Sequence, residues 1–142
     1  MNTLTQDRPP ETAKYVRVMA LGTEAPAVRR ARCETSAACA AWGLGHLAAD
    51  AVLIASEMST NALQATWEAR AFLPVLMRLR SDGESPIVEI WDAAIQKAPR
   101  VCQHAPDAIG GRGLEIVERL SDSWGCYRQR NGKIVWSVIS GR

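Results

Sequence analysis

The chain has 142 residues, 47% of them hydrophobic, and a net charge of +2, which fits one globular domain and gives no indication of direct nucleic-acid binding. No apolar run approaches the roughly 18 residues that span a bilayer, and no apolar signal-peptide core opens the chain, so we expect a cytoplasmic protein without a membrane partner. The four cysteines form no Cys-x-x-Cys pair, and we expect them to be reduced thiols.

The first half of the sequence predicts one strand followed by two helices. Residues 1–13 are polar and include prolines, so we expect a flexible leader before a domain that comprises residues 14–142. A strand is predicted at about Tyr15–Leu21, and a helix at about Glu24–Trp42 ends at a glycine-rich break. A second helix at about Leu47–Glu68 carries apolar residues at three- and four-residue steps, which indicates one buried face.

The second half predicts four strands and one helix. In chain order these elements are strands at Leu73–Arg80 and Ile87–Trp91, a long loop from Asp92 to Gly111, a helix at Arg112–Asp122, and hairpin strands at Trp124–Arg130 and Lys133–Ser140. The hairpin is predicted to turn at Asn131-Gly132, a favoured two-residue sequence. Because hairpins supply most strand pairs, we predict an α+β fold, a two-layer α/β sandwich whose largely antiparallel mixed sheet is covered on one face by helices.

Polar residues follow one side of the second predicted helix. Glu57 and Asn61 are four residues apart and therefore lie one turn above the other. One interpretation is the solvated face of an amphipathic helix. The other is functional: the Asn61 oxygen binds a magnesium ion that bridges phosphates, and Glu57 orients or deprotonates an attacking hydroxyl.

Asp92 stands at the end of a predicted strand whose alternation places it in an apolar row. Val88, Ile90 and Asp92 share one face, which is predicted to point inward. A buried carboxylate needs a hydrogen-bond donor, because leaving it unpaired costs several kcal/mol. That donor is either an adenine amino group or the backbone of the following turn.

The glycine cluster that precedes the third predicted helix has two interpretations. Gly110-Gly111-Arg112-Gly113-Leu114 places unpaired backbone N–H groups and the positive end of the helix dipole where an anion such as phosphate can bind. The alternative is an ordinary tight turn.

These elements, in this order, resemble the GHKL superfamily of ATP-binding domains, which share the Bergerat fold. The resemblance is to the anti-sigma factor serine/threonine-protein kinase branch, covers about residues 14–140, and rests on several motifs. They are Ser56–Ala62, which is similar to a Glu-x-x-x-Asn-Ala motif, Trp91-Asp92 with Pro99, the glycine-rich Gly111–Val117, Asp122–Gly125 and Gly132–Trp136.

The resemblance implies roles for individual residues toward ATP and Mg2+. Glu57 would be the general base that accepts the proton of a partner's serine hydroxyl, and Asn61 would hold magnesium. Asp92 would bind the adenine amino group. The glycine-rich segment would approach the phosphates through Gly111, Arg112, Gly113 and Leu114. In the long loop, Lys97, Arg100 and His104 would neutralise phosphate charge or would be solvated cations.

Two positions depart from the pattern of that branch. Ala94 occupies a position near the base that is often glycine, and Lys133 and Ile134 stand where the last strand often provides a hydroxyl for adenine. The resemblance implies an anti-sigma regulator that phosphorylates an antagonist on serine and switches between it and a sigma factor, and a homodimer is compatible with it. The alternative is a degenerate or nucleotide-independent module that sequesters a partner without phosphotransfer.

Overall fold

The computed structural model describes residues 4–5, 8–11, 13–94 and 111–140, with the side chains of residues 4–5 and 111–114 outside the description. Its strands are β1 (Leu4–Thr5), β2 (Tyr15–Gly22), β3 (Val75–Ser81), β4 (Pro86–Asp92), β5 (Ser123–Gln129) and β6 (Gly132–Val138). Its helices are α1 (Pro26–Ala41), a 3-10 turn at Gly45–Leu47, α2 (Ala48–Glu68) and α3 (Gly111–Leu120). Within these described ranges, no helix combines the length and apolar character that a membrane crossing requires.

The six strands form one sheet in the order β1-β5-β6-β4-β3-β2. All neighbouring strands pair antiparallel except β1 and β5, which pair parallel. The helices pack on one face, so the predicted α+β architecture with a largely antiparallel mixed sheet is confirmed. Strand β4 lies between β3 and β6 and therefore ends in the interior of the sheet.

Apolar periodicity explains why α2 packs on the sheet. Ala51, Ile54, Met58 and Ala62 form the buried stripe that the sequence predicts, and small alanines let the helix backbone lie close to its neighbours. The helix contacts α1, α3, β3 and β4. The packing of this stripe fixes α2 against the central strand β4.

Leu4 and Thr5, within the predicted leader, contribute a short strand to the sheet. Strand β1 pairs with β5 at one edge, and β2 forms the opposite edge. Between them, the Arg8 guanidinium lies 4.8 Å from the centroid of the Tyr127 ring, and Pro9 is buried. Because Tyr127 packs on the sheet face opposite the helices, Arg8 lies on that outer face.

Cysteine oxidation differs from the sequence-based expectation. Cys33 and Cys39 are free thiols, as predicted, and burial raises the pKa of the Cys39 thiol. Cys126 on β5 is instead disulfide-bonded, so the prediction of four reduced cysteines is wrong at that position. Spacing along the chain could not reveal this bond because disulfide pairing depends on which residues meet in the fold.

A buried charge cluster lies on the outer face of the sheet, where β3 and β4 pair. The Glu89 carboxylate accepts hydrogen bonds from Arg78 Nε at 2.6 Å, Arg78 Nη2 at 2.9 Å and Arg80 Nε at 2.8 Å. The side chains of Arg80 and Glu89 are only 3% and 2% exposed, and Arg80 Nη2 is buried without a hydrogen-bond partner. The single carboxylate therefore compensates two guanidinium charges, one of them fully desolvated.

We predict that Glu89→Gln lowers the free energy of unfolding by about 3–5 kcal/mol, because it leaves the buried Arg80 without a counter-charge. Urea denaturation measures this change. The matched control is Glu84→Gln at an exposed carboxylate in the nearby turn, which should change stability by less than about 0.5 kcal/mol. Equal effects of the two substitutions would contradict the assigned role of Glu89.

Candidate functional site

Glu57 and Asn61 lie on α2 at the boundary between its buried stripe and solvent. Both side chains are half-buried, whereas the neighbouring Met58 and Ala62 are buried. Among the described residues, neither Glu57 nor Asn61 makes a side-chain hydrogen bond or ion pair. A carboxylate and a carboxamide are thus held one turn apart on a packed helix, with their oxygens available to a ligand.

Asp92 ends β4 and points into the protein, as strand alternation predicted. The residue is 2% exposed and follows the buried Val88 and Ile90 on the same face. Its Oδ1 accepts a hydrogen bond from the backbone N–H of Ala94 at 2.9 Å. The turn-capping donor considered from sequence is therefore present, and Ala94 itself is buried beside the carboxylate.

A second donor to Asp92 comes from the adjacent strand. Lys133 Nζ lies 2.7 Å from Asp92 Oδ1, and Lys133 is 6% exposed. The two residues are direct partners in the antiparallel register of β4 and β6, which places their side chains side by side. Sequence reasoning identified Lys133 only as a departure from the expected hydroxyl, because the pairing of strands 41 residues apart is set by the fold.

The environment of Asp92 has opposing effects on its ionisation. Burial raises the pKa of Asp92, and this effect is the largest, while the Lys133 ammonium and the Ala94 N–H act in the opposite direction. Both stabilising contacts are made by Oδ1. Among the described residues, none donates a hydrogen bond to Oδ2, so the second oxygen can accept a hydrogen bond from a ligand.

Gly132 has a different role from the one that the sequence indicated. Strand β5 ends at Gln129, which pairs with Gly132, so the two turn residues are Arg130 and Asn131, and Arg130 adopts a left-handed φ of 55°. A Cβ on Gly132 would overlap the Asp92 carbonyl oxygen and lie 2.6 Å from the Trp91 indole. Glycine is therefore required where β6 passes the end of β4, immediately before Lys133.

The glycine-rich segment begins a helix, as predicted, and the helix starts at Gly111. Helix α3 packs against α2 and buries Val117 in the core. The side chains of Arg112 and Leu114 lie outside the described residues, so the phosphate-binding roles of residues 111–114 stay predictions. Lys97, Arg100 and His104 of the long loop also lie outside the described residues, so their roles toward phosphate stay predictions.

The oxygen atoms that these side chains offer fit a nucleotide. A buried carboxylate with an available oxygen can accept a hydrogen bond from a base amino group. One turn of α2 offers the Asn61 carboxamide oxygen, which can bind magnesium, and the Glu57 carboxylate, which can accept a proton. These groups lie on α2 and β4, which are in contact.

We predict that Gly132→Ala lowers the free energy of unfolding by about 1–3 kcal/mol, because the added methyl group forces β6 away from the end of β4. Chemical denaturation of purified variants provides the measurement. Gly45→Ala is the control, since a Cβ at Gly45 meets no atom within 4 Å. A Gly132→Ala variant as stable as this control would show that β6 does not need the close approach.

We predict that Lys133→Met destabilises the protein by about 3–5 kcal/mol near neutral pH, because it leaves the Asp92 carboxylate buried without its cation. The pKa of Asp92 should rise further. A raised folded-state pKa contributes stability below the unfolded-state value of about 4 and loses it as the pH rises, so the deficit relative to wild type should grow from pH 5 to pH 7.5.

Urea titrations at the two pH values measure that deficit, with Lys14→Met as the control because Lys14 is an exposed lysine. A deficit for Lys133→Met that does not change with pH would contradict the electrostatic origin.

Comparison with known proteins assigns most of the chain to one family. The family model described as a histidine kinase-like ATPase domain matches residues 22–139, which include Glu57, Asn61, Asp92 and Lys133. No curated protein matches the chain. The match extends from the end of β2 to the residue after β6 and so covers the helical layer and the four strands β3 to β6. The chain therefore belongs to the histidine kinase-like ATPase domain family.

Proposed function

We propose that this protein is an ATP-dependent serine kinase that acts as an anti-sigma regulator by partner switching. The observation that carries the proposal is the placement of the half-buried Glu57 and Asn61 one turn apart on α2, a helix that contacts the strand ending at the buried Asp92. A carboxylate without a cationic partner among the described residues is suited to accept a proton. Family membership supports ATP binding by the same chain.

Each residue has a defined part in the proposed transfer. Asp92 would accept a hydrogen bond from the adenine amino group, and Asn61 would hold a magnesium ion, which would supply positive charge to the phosphates. Glu57 takes the proton from a partner's serine hydroxyl as that oxygen bonds to the γ-phosphorus and the bond from phosphorus to the ADP oxygen breaks. The products are ADP, phosphoserine and protonated Glu57, and positioning supplies most of the remaining acceleration.

Partner binding is supported by an apolar area on edge strand β2. Val16 and Val18 are 52% and 67% exposed, and both belong to the sheet face opposite the helices. Leu76 on the paired strand β3 is exposed beside them. An edge strand with exposed valines is a suitable docking place for a sigma factor, an antagonist or a second copy of the chain.

A second candidate function is a regulatory module that binds a partner without phosphotransfer. The buried ion pair between Asp92 and Lys133 favours it, because one carboxylate oxygen is already engaged by a charged donor. Ala94 adds a methyl group next to the same carboxylate. In this case the exposed β2 surface would carry the function, and ATP would be bound without transfer or not at all.

We predict that Asn61→Ala weakens ATP binding at least about tenfold when magnesium is present and much less in EDTA, because Asn61 acts through the metal. Isothermal titration calorimetry with ATP measures both conditions. Asp50→Ala, an exposed substitution in the first turn of the same helix, is the control and should leave affinity unchanged. An equal loss with and without magnesium would contradict the metal role.

We predict that Glu57→Gln lowers phosphotransfer about 100-fold or more while ATP affinity stays unchanged, because the amide cannot accept the serine proton. The measurement uses small antagonist proteins from the same organism, each purified separately. Each is incubated with the kinase, ATP and magnesium, and mass spectrometry detects the added phosphate. Transfer by Glu57→Gln at the wild-type rate would show that another group is the base. ATP binding without transfer to any antagonist would favour the second candidate.

A further inference from the structure

The paired residues Asp92 and Lys133 present a hydrogen-bond acceptor and a donor next to each other. Antiparallel register places both side chains on the same face, and the Nζ–Oδ1 distance of 2.7 Å fixes their separation. The Ala94 N–H holds the same carboxylate oxygen from the other side at 2.9 Å. The end of β4 therefore carries a rigid acceptor–donor pair rather than an isolated carboxylate.

The Lys133 ammonium has more donors than the described residues use. An ammonium has three N–H groups, and Asp92 Oδ1 is its one acceptor within the described part of the chain. The side chain is only 8% exposed, so water reaches it poorly. Since a buried donor without an acceptor is costly, a ligand atom that accepts a hydrogen bond is favoured beside Lys133.

We propose that Lys133 is a specificity-determining residue that donates a hydrogen bond to a ring nitrogen of adenine adjacent to its amino group. This inference rests on the proposed binding of that amino group by Asp92. Adenine carries its amino donor between two ring-nitrogen acceptors, N1 and N7, and so complements an acceptor–donor pair. A purine with a carbonyl in place of the amino group would direct its oxygen at the Asp92 carboxylate and is disfavoured.

Nucleotide analogues that lack one ring nitrogen test the contact. The wild-type protein, Lys133→Met and Lys133→Arg are titrated calorimetrically with ATP, 1-deaza-ATP and 7-deaza-ATP. We expect one deaza analogue to bind the wild type at least about tenfold more weakly than ATP, the size of a hydrogen bond to a charged group. In Lys133→Met, ATP and that analogue should bind within about twofold of each other, whereas Lys133→Arg should keep part of the difference.

Within one variant, the ratio of the affinity for ATP to the affinity for the deaza analogue reports base recognition and does not depend on the stability of the variant. Partial unfolding of Lys133→Met lowers both affinities equally and leaves their ratio unchanged, and Lys14→Met serves as a surface control. The inference would be overturned if the deaza analogue still bound Lys133→Met more weakly than ATP by the wild-type factor. It would also be overturned if Lys133→Met bound ATP more tightly than the wild type, because Lys133 would then compete with adenine for Asp92. In both cases ATP still binds, whereas an absence of ATP binding by the wild type would instead remove the proposed function.

Discussion

A buried carboxyl group at the end of an interior strand is the constraint on which the site depends. Asp92 is buried on the strand face that it shares with Val88 and Ile90, and desolvation raises its pKa. The fold tolerates this residue because β6 delivers Lys133 and the following turn delivers the Ala94 N–H to the same oxygen. Gly132 allows the approach, since any side chain there would push β6 away. The hairpin between β5 and β6 is thus part of the site.

The two faces of the sheet bury charge by the same means but with different consequences. On the outer face, both Glu89 carboxylate oxygens accept hydrogen bonds from the guanidinium groups of Arg78 and Arg80, and Arg8 lies on that face. On the helical face, Asp92 keeps one oxygen that no described residue engages, and Lys133 keeps donors beyond its contact with Asp92. Engagement of both Glu89 oxygens within the sheet makes the first cluster structural, whereas the available second oxygen of Asp92 makes the second pair suited to a ligand.

The structure explains the two positions at which the sequence differs from the pattern of the family branch. Lys133 occupies the region where a hydroxyl was expected, and it reaches the carboxylate directly. The backbone N–H of Ala94 donates a hydrogen bond to the Asp92 carboxylate, so the Ala94 methyl group lies next to that carboxylate. These contacts bear on which nucleotide is bound and how tightly, while the packing of α2 on the sheet is independent of them.

The sequence alone determined the elements and the direction of their faces, because periodicity is a local property. It predicted the stripe of α2, the inward direction of Asp92 and the layered α+β fold, all of which the structure has. Tertiary structure decided the pairing of Asp92 with Lys133, the turn at Arg130-Asn131, the reason for Gly132, the bonded state of Cys126 and the addition of β1 to the sheet. Each of these depends on register or contact between segments distant in the chain, and no local pattern encodes that information.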